Sequence, residues 1–313
     1  MVSAAFNDLI EQTQAAELLT QAIKRDRIAP AYLFVGPDGV GRKRAARLFL
    51  DALLGQSPQS SAKRRASQDN HPDILWVEPT YQHQGKAMSA SALIEKGVAL
   101  PKGRPQVRLE QIRNITRFVS QAPMESPRLL VILDEAQTMG ESAANGLLKT
   151  LEEPGNCTLI LIAPSVDSLL PTIVSRCQRI PFRRLSTEGL SAVLQRLELH
   201  EILAHRPILT MAQGSPGRAI QYWEKLQAIP AEVLAACQTP PTTASSCLAL
   251  ARDIDKALEM ESQLWLLDYL QQQYWGAGLT ASLAPLEQAK TYLIQYVQPQ
   301  LVWEVTLLKL ANL

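Results

Sequence analysis

The sequence predicts an α/β domain with a parallel β-sheet, followed by a region that is almost entirely helical. Short apolar runs of the buried-strand type, at 31–35, 129–133 and 158–162, alternate with segments whose apolar residues recur at helical spacing. This alternation is typical of parallel sheets. A glycine-rich loop joins the first of these strands to a helix, which is the unit that carries phosphate-binding loops. After Phe182 only the helical spacing continues.

The predicted elements of the α/β region follow one another along the chain. Helices are predicted over 8–25, 42–54, 109–119, the segment from Ala143 to Leu151, and 168–175. A further strand is predicted over 74–77. Residues 55–70 are predicted to be an exposed loop, and residues 80–105 are polar and poorly periodic.

Two changes in composition divide the chain into three predicted domains. The α/β domain covers residues 1–182, a small helical domain covers 183–239, and a C-terminal all-helical domain covers 240–313. The last helix, from Leu301 to Leu310, has almost no polar face and is predicted to be buried. Burial within its own domain and burial in a subunit contact are both open at this point.

Composition and charge exclude several classes of protein. With 46% hydrophobic and 19% charged residues, the chain has the composition of an ordinary soluble globular protein. Its net charge of +1 lacks the basic excess that a dedicated duplex-DNA binder shows. The N-terminus lacks the pattern of a secretory signal, and no apolar run is long enough to span a bilayer. We therefore expect a cytoplasmic protein without a membrane partner.

The cysteines are scattered along the chain, at Cys157, Cys177, Cys237 and Cys247. They form no C-x-x-C pair and have no histidine at metal-ligand spacing. We therefore expect free, reduced thiols, no zinc site and no other metal site.

The glycine-rich loop runs from Gly36 through Gly39 to Gly41 and is followed by Arg42 and Lys43. In the pattern G-x-x-x-x-G-K-[ST], backbone N–H groups cradle phosphate oxygens, the lysine reaches the β- and γ-phosphates, and the hydroxyl holds Mg²⁺. Here the glycines fit, but arginine stands at the lysine position and lysine at the hydroxyl position. Arginine presents a wide planar fork instead of a compact ammonium, and lysine cannot ligate a cation.

Two further strand ends bear on the same site. The strand over 129–133 ends in Asp134-Glu135. In working enzymes with this arrangement, the first acid supports Mg²⁺ and the second polarises the attacking water. The strand over 158–162 runs into Ala163-Pro164, which offers no side-chain hydrogen bond to a γ-phosphate. The sequence therefore predicts a degenerate nucleotide site that does not support hydrolysis.

Three segments carry a resemblance to a known family. Residues 144–154 have the sequence A-N-G-L-L-K-T-L-E-E-P, residues 169–178 contain Ser175-Arg176-Cys177, and residues 214–219 have the sequence G-S-P-G-R-A. Over roughly residues 6–220 the chain resembles the bacterial DNA polymerase III clamp-loader family of AAA+ proteins, meaning its gamma/tau and delta-prime subunits. The resemblance implies an AAA+ P-loop-type sheet domain, a helical lid domain and a C-terminal helical collar used for oligomerisation.

Departures from the family pattern indicate one branch of it. Members of the gamma/tau type carry an intact G-K-[ST] loop, whereas this chain combines Arg42-Lys43 with a retained Ser-Arg-Cys triplet. The combination resembles the delta-prime branch, which contributes to a neighbour's ATP site, has no independent ATPase activity and belongs to the DNA polymerase III holoenzyme, a DNA-directed DNA polymerase. The zinc module of four cysteines found in many members is absent from residues 51–72.

The resemblance also implies roles for individual residues. Arg176 is implied to be an arginine finger that acts in trans on the next subunit's γ-phosphate, with Ser175 and Cys177 positioning it. Arg218 stands at the family's sensor 2 position, where contact with a nucleotide in cis and a tie between two domains are both open. No cofactor is required by these roles. ATP bound weakly, or at the interface with a neighbouring subunit, is the alternative.

The implied partners are gamma/tau-like ATPase subunits and a delta-like subunit, with the sliding clamp and primer-template DNA reached through the complex. Two other functions stay open. One is an autonomous AAA+ ATPase of gamma/tau type in which Arg42 or Lys43 replaces the missing lysine. The other is a nucleic-acid-binding adaptor that uses the basic loop Lys63-Arg64-Arg65.

Overall fold

A five-stranded parallel β-sheet organises the N-terminal part of the chain. The computed structural model describes residues 6–54, 71–101, 103–238 and 242–312. The strands in chain order are β1 (Ala31–Val35), β2 (Ile74–Val77), β3 (Thr80–His83), β4 (Lys86–Ser89), β5 (Leu129–Leu133), β6 (Cys157–Ala163) and β7 (Gln178–Pro181). The sheet order is β2-β5-β6-β1-β7 with all neighbours parallel, and β3 and β4 form a separate antiparallel hairpin. Every residue of β5 and β6 is buried, as expected for strands covered on both faces.

The chain divides into two compact units, Met1–Ser186 and Thr187–Leu313. The α-helices of the first unit are α1 (Thr13–Lys24), α2 (Arg42–Leu54), α3 (Ala90–Glu95), α4 (Leu109–Val119), α5 (Glu141–Glu152) and α6 (Pro171–Val174). Short 3₁₀ helices follow β5 and β6, at Ala136–Thr138 and Val166–Ser168. The alternation of strands and helices around a parallel sheet confirms the predicted α/β class.

Two segments of the first unit hold structure that the sequence pattern did not indicate. The stretch 80–105 contains the β3–β4 hairpin and α3. The hairpin turns at Gln84 and Gly85, which both have positive φ angles, 49° and 76°. This is the backbone of a tight two-residue turn, which Asn-Gly or Asp-Gly usually signals. Strand β7 is an edge strand in which only Ile180 is fully buried, so it lacks an apolar run.

The first helix begins later than predicted. The predicted helix starts at residue 8, but α1 starts at Thr13. Glu11 has a φ of 57°, a left-handed conformation that cannot continue a right-handed helix. The Glu11 carboxylate accepts hydrogen bonds from the Ser186 N–H at 2.7 Å and the Ser186 hydroxyl at 2.6 Å. These contacts join the start of the first unit to its last residue.

The second unit is helical throughout its described residues. Its α-helices are α7 (Thr187–Arg196), α8 (His200–Ala204), α9 (Arg206–Ala212), α10 (Pro216–Gln227), α11 (Ala231–Gln238), α12 (Ala244–Ala257), α13 (Met260–Gly276), α14 (Leu283–Ile294) and α15 (Pro299–Ala311), with a 3₁₀ turn at Thr280–Ser282. One hydrophobic cluster includes buried residues from both sides of residue 240. The separate lid and collar domains therefore stay a prediction.

One face of the last helix, α15, is buried in the core of the second unit. Trp303 is fully buried, and its indole N–H donates to the Gln263 side-chain oxygen at 2.8 Å. On the opposite face, 49% of Leu301 and 41% of Val305 are exposed. The helix thus contributes to the core of its own unit and leaves an apolar strip uncovered.

None of the helices in the described ranges has the length and apolar character needed to cross a membrane. The cysteines are all buried and free. Burial raises the pKa of Cys157 and of Cys237 to about 12.

Asp73 anchors the edge of the sheet, since it lies directly before β2 and binds the loop that leads into β5. Its carboxylate accepts hydrogen bonds from the N–H groups of Met124, Glu125 and Ser126, each at 2.7 Å, and from the Ser126 hydroxyl at 2.9 Å. The residue is 1% exposed. Burial raises the pKa of Asp73, but these hydrogen bonds outweigh it, and the net pKa is lowered. The ionised form therefore stabilises the fold.

We expect Asp73→Asn to lower the free energy of unfolding by about 2–3 kcal/mol at neutral pH, because an amide replaces one accepting oxygen with a donor that faces N–H groups. A carboxyl group whose pKa is depressed on folding stabilises the protein above its unfolded pKa of about 4, and this contribution is lost as the pH falls through the folded value. The difference between wild type and variant should therefore shrink below about pH 4.

Urea unfolding of the full chain at a series of pH values checks this prediction. Asp167→Asn, at an exposed position of the same unit, serves as the control and should leave stability nearly unchanged. A difference between wild type and Asp73→Asn that stays constant down to acid pH would contradict the role of the charge.

Candidate functional site

The candidate site lies where three neighbouring strands end. Strand β6 pairs with both β1 and β5, so the carboxyl ends of all three lie at one edge of the sheet. The glycine-rich loop leaves β1 at Gly36, and Asp134 follows β5. The Gly36 N–H donates to the carbonyl of Ala163, the last residue of β6, at 3.4 Å. Ligands of open α/β sheets bind at this edge.

Gly36 is the tightest point of the loop. A Cβ added there would lie 2.4 Å from the carbonyl oxygen of Phe182 and 2.8 Å from its Cβ. Phe182 is held in place because its N–H donates to the Val35 carbonyl at 2.7 Å. The clash would be with backbone, which cannot rotate away. Gly39 and Gly41, with φ of 76° and 103°, complete the turn into α2.

Arg42 is turned back into the loop. Its Nη2 forms an ion pair and hydrogen bond with the carboxylate of Asp38, four residues earlier. Its side chain is 9% exposed. The guanidinium that stands at the position of the phosphate-binding lysine is therefore engaged by the loop itself.

Lys43 reaches across to the end of β5. Its Nζ lies 2.5 Å from Oδ2 of Asp134 and 4.0 Å from Oε1 of Glu135. Burial lowers the pKa of Lys43, but the adjacent Asp134 carboxylate and the charges of Glu135 and Glu78 outweigh burial, and the net pKa is raised. The Glu135 pKa is raised by burial and by the Asp134 charge, against the effect of Lys43. Lys43 is thus a charged ammonium among carboxylates.

These residues do not fit a magnesium ion. Mg²⁺ requires oxygen ligands in near-octahedral geometry. An ammonium has three donors and no lone pair, and the Lys43 ammonium stands at the hydroxyl position and binds the Asp134 carboxylate. At the end of β6, Ala163 is buried and Ser165 is exposed, with its carbonyl accepting from Ser168. Of the side chains that the phosphate-loop pattern uses for hydrolysis, the described residues retain the two carboxylates, Asp134 and Glu135, but not the lysine or the hydroxyl at their usual positions.

The Ser-Arg-Cys segment follows α6 directly. Arg176 donates from Nη2 to the Glu152 carboxylate at 2.7 Å and from Nη1 to the Thr172 carbonyl at 3.0 Å. The side chains of Arg176 and Glu152 are 37% and 53% exposed. The Ser175 hydroxyl donates to the same Thr172 carbonyl at 3.0 Å. The guanidinium is therefore oriented but accessible.

Cys177 is buried in the core of the first unit. Burial raises the pKa of its thiol to about 11. A thiol with such a pKa is almost entirely protonated at neutral pH and is a poor nucleophile. Its packing suits a residue that fixes the backbone beside Arg176.

The fold brings the phosphate loop, Arg42, Lys43 and Asp134-Glu135 together at one edge of the sheet. Arg176 contacts Glu152 and Thr172. Arg218 lies in the second unit, in the first turn of α10, where its N–H donates to the Ser215 hydroxyl at 3.3 Å. The basic loop at 63–65 falls outside the described residues.

The sequence patterns did not identify two residues that contact the site, Asp38 and Glu152. Asp38 pairs with Arg42, and the four-residue spacing between them was the available signal. Glu152 pairs with Arg176 across 24 residues. Its place in the E-E-P string gave no indication of that partner, because the contact depends on how α5 packs beside α6.

Comparison with protein families gives two matches that together span most of the chain. The family described as "DNA polymerase III, delta subunit" matches residues 11–186. The family described as "Cyanobacterial DNA polymerase III delta prime, C-terminal domain" matches residues 188–310. The boundary between the matches coincides with the boundary between the two compact units.

Individual proteins similar to this chain agree with the family matches. DNA polymerase III subunit delta' of Bacillus subtilis is 32% identical over 201 residues, which cover 62% of this chain and 53% of the relative. DNA polymerase III subunit delta' of Pseudomonas aeruginosa is 32% identical over 211 residues, which cover 64% of this chain and 57% of the relative. The chain therefore spans about half the length of the curated relatives that it matches.

A solved structure of similar fold covers nearly the whole chain. It is a DNA polymerase III gamma subunit-related protein from Thermotoga maritima, with a TM-score of 0.53, 17% identity, and coverage of 96% of this chain and 99% of the other. At this level of identity the likeness concerns the fold alone. It agrees with the predicted parallel-sheet domain followed by a helical region.

We expect Gly36→Ala to destabilise the first unit by about 2 kcal/mol or more, because the added methyl group meets the Phe182 backbone and forces it to shift. The measurement is urea unfolding of the full chain. Gly140→Ala is the matched control, since an added Cβ there meets nothing within 4 Å. Equal stability of the two variants would show that the Phe182 contact does not constrain the loop.

Proposed function

Because the chain belongs to the DNA polymerase III delta-prime family, we propose that it is a clamp-loader subunit that assembles with ATPase subunits and supports their work without hydrolysing ATP itself. The contact that carries the proposal is the ion pair between Lys43 and Asp134, at 2.5 Å. It engages the carboxylate that an active site of this type needs for its metal. The contribution of this chain to ATP turnover must then come from another surface.

Arg176 is the residue that we propose for that contribution, as an arginine finger acting in trans. An arginine finger neutralises charge that develops on the transferred phosphoryl group and is worth about 10³ to 10⁵ in rate. A guanidinium has five N–H donors in a planar fork, and Arg176 uses one from each terminal nitrogen on Glu152 and Thr172. Further donors are left for phosphate oxygens.

The contact with Glu152 supports this role because it orients the guanidinium without holding it strongly. Both side chains are substantially exposed, and exposed ion pairs contribute about 0–1 kcal/mol. Such a pair limits the rotamers of a long side chain before assembly. It is also weak enough to be exchanged for, or shared with, a neighbour's phosphate.

We propose gamma/tau-like ATPase subunits and a delta-like subunit as the partners, with the sliding clamp and primer-template DNA reached through the complex. Two relatives are named as DNA polymerase III subunits, and a protein of similar fold is named as gamma subunit-related. The exposed apolar side chains of Leu301 and Val305 on α15 suit a subunit contact. We propose a cytoplasmic location for the assembled loader.

Arg176→Ala should leave assembly intact and reduce ATP turnover by the reconstituted loader by about 10-fold or more, because the charge on the neighbour's transferred phosphate loses its stabilisation. Arg176→Lys should restore part of the rate, since it keeps the charge and loses the fork. Turnover is measured with gamma/tau-like partners, a clamp and primed DNA, and assembly is measured by size-exclusion chromatography.

Arg179→Ala, at an exposed arginine three residues further on, is the control for a general loss of positive charge and should behave as wild type. Unchanged turnover with Arg176→Ala would remove the finger role. Robust Mg²⁺-dependent ATP hydrolysis by the isolated chain would favour an autonomous ATPase instead.

A further inference from the structure

We propose that Lys43 is a tethered replacement for the divalent cation of the phosphate-loop site, with its ammonium neutralising Asp134 and joining the start of α2 to the end of β5. This inference goes beyond the proposed function, because it holds whether or not Arg176 acts on a neighbouring ATP site. It assigns Lys43 a specific task, and it predicts that the site takes up a divalent metal once that lysine is removed.

The position of Lys43 is the first support. It is the second residue of α2 and follows the loop at the place where the phosphate-loop pattern requires a hydroxyl that ligates Mg²⁺. Its Nζ lies 2.5 Å from Asp134 and 4.0 Å from Glu135. Those are the carboxylates that the same pattern uses to support the metal and the attacking water. One side chain thus supplies a positive charge to both acids.

The burial of Asp134 is the second support. Its side chain is 1% exposed, whereas that of Lys43 is 56% exposed. A buried carboxylate carries a large desolvation cost unless a cation and hydrogen bonds compensate for it. The Glu135 N–H donates to Asp134 Oδ1 at 2.9 Å, and Lys43 reaches Oδ2. Lys43 therefore compensates the charge of Asp134, whose backbone is fixed at the end of the buried strand β5.

The surplus of acidic groups is the third support. Asp134 and Glu135 are consecutive carboxylates at the end of β5, and Asp38 adds a third acid in the loop. Arg42 is engaged by Asp38 on the other side of the loop. Within the part of the chain that the structure describes, Lys43 is the cation paired with Asp134 and Glu135. The charge of these adjacent carboxylates favours a cation beside them. Because Lys43 is part of the chain, its positive charge is always present there, whereas a metal ion must be bound from solution.

The decisive experiment is cation rescue of thermal stability in the full chain. In EDTA, Lys43→Thr should lower the melting temperature by about 5 °C or more, because Asp134 loses its counter-charge. Threonine also supplies the hydroxyl of the phosphate-loop pattern. Millimolar Mn²⁺ or Mg²⁺ should therefore restore most of the lost melting temperature in this variant and leave the wild type unchanged.

Two variants make the result specific. Lys149→Thr removes an exposed lysine of α5 and should show neither the loss of stability nor the rescue. Lys43→Thr combined with Asp134→Asn removes both charges and should show no rescue by metal. Binding of Mn²⁺, followed by electron paramagnetic resonance, should appear in Lys43→Thr alone.

Several results would overturn the inference. They are Mn²⁺ binding by the wild-type chain at the affinity of Lys43→Thr, wild-type stability of Lys43→Thr in EDTA, and equal rescue of the Lys149→Thr control. If Lys43→Thr does not fold without metal, the wild-type Mn²⁺ measurement and the double variant still decide the question. The proposed function shares the Lys43–Asp134 contact with this inference, but Arg176→Ala in the reconstituted loader tests its trans role without involving Lys43, so the failure of one can be told from the failure of the other.

Discussion

The parallel pairing of β6 with β1 on one side and β5 on the other is the constraint on which the site depends. Leu161 of β6 lies opposite both Leu33 and Leu133 in the register of the sheet. Parallel strands end at the same edge, so this register brings the loop after β1 to the carboxylates after β5, about a hundred residues apart in sequence. All three strands are almost wholly buried, which leaves the edge little freedom to move.

The Asp134 carboxylate is buried at the end of β5, and its charge is compensated by Lys43, which follows the phosphate loop. The backbone of Asp134 is held at the end of the sheet, where its N–H donates to the Val77 carbonyl at 2.9 Å, and its side chain is only 1% exposed. A catalytic member of a phosphate-loop family meets this charge with a metal ion. Here the Lys43 ammonium lies against this carboxylate instead.

The two arginines that matter differ in what surrounds them. Arg42 is nearly buried and bound to the loop through Asp38, so it belongs to the internal architecture. Arg176 is paired with Glu152, and both side chains face solvent to a large extent. A weak, exposed pair orients a guanidinium and leaves it accessible. The described residues thus include one arginine bound within the phosphate loop and a second, accessible arginine after α6.

The sequence by itself determined the α/β class, the glycine-rich loop with its misplaced Arg42 and Lys43, and the acidic pair after β5, because apolar runs and short motifs are local patterns. It left the β3–β4 hairpin and β7 unseen, since a Gln-Gly turn and a polar edge strand give weak local signals. Tertiary structure alone decided that Lys43 meets Asp134, that Phe182 requires glycine at position 36, and that Glu152 holds Arg176. Each of these contacts joins residues distant in sequence, and their distances follow from strand register and helix packing, which no local pattern encodes.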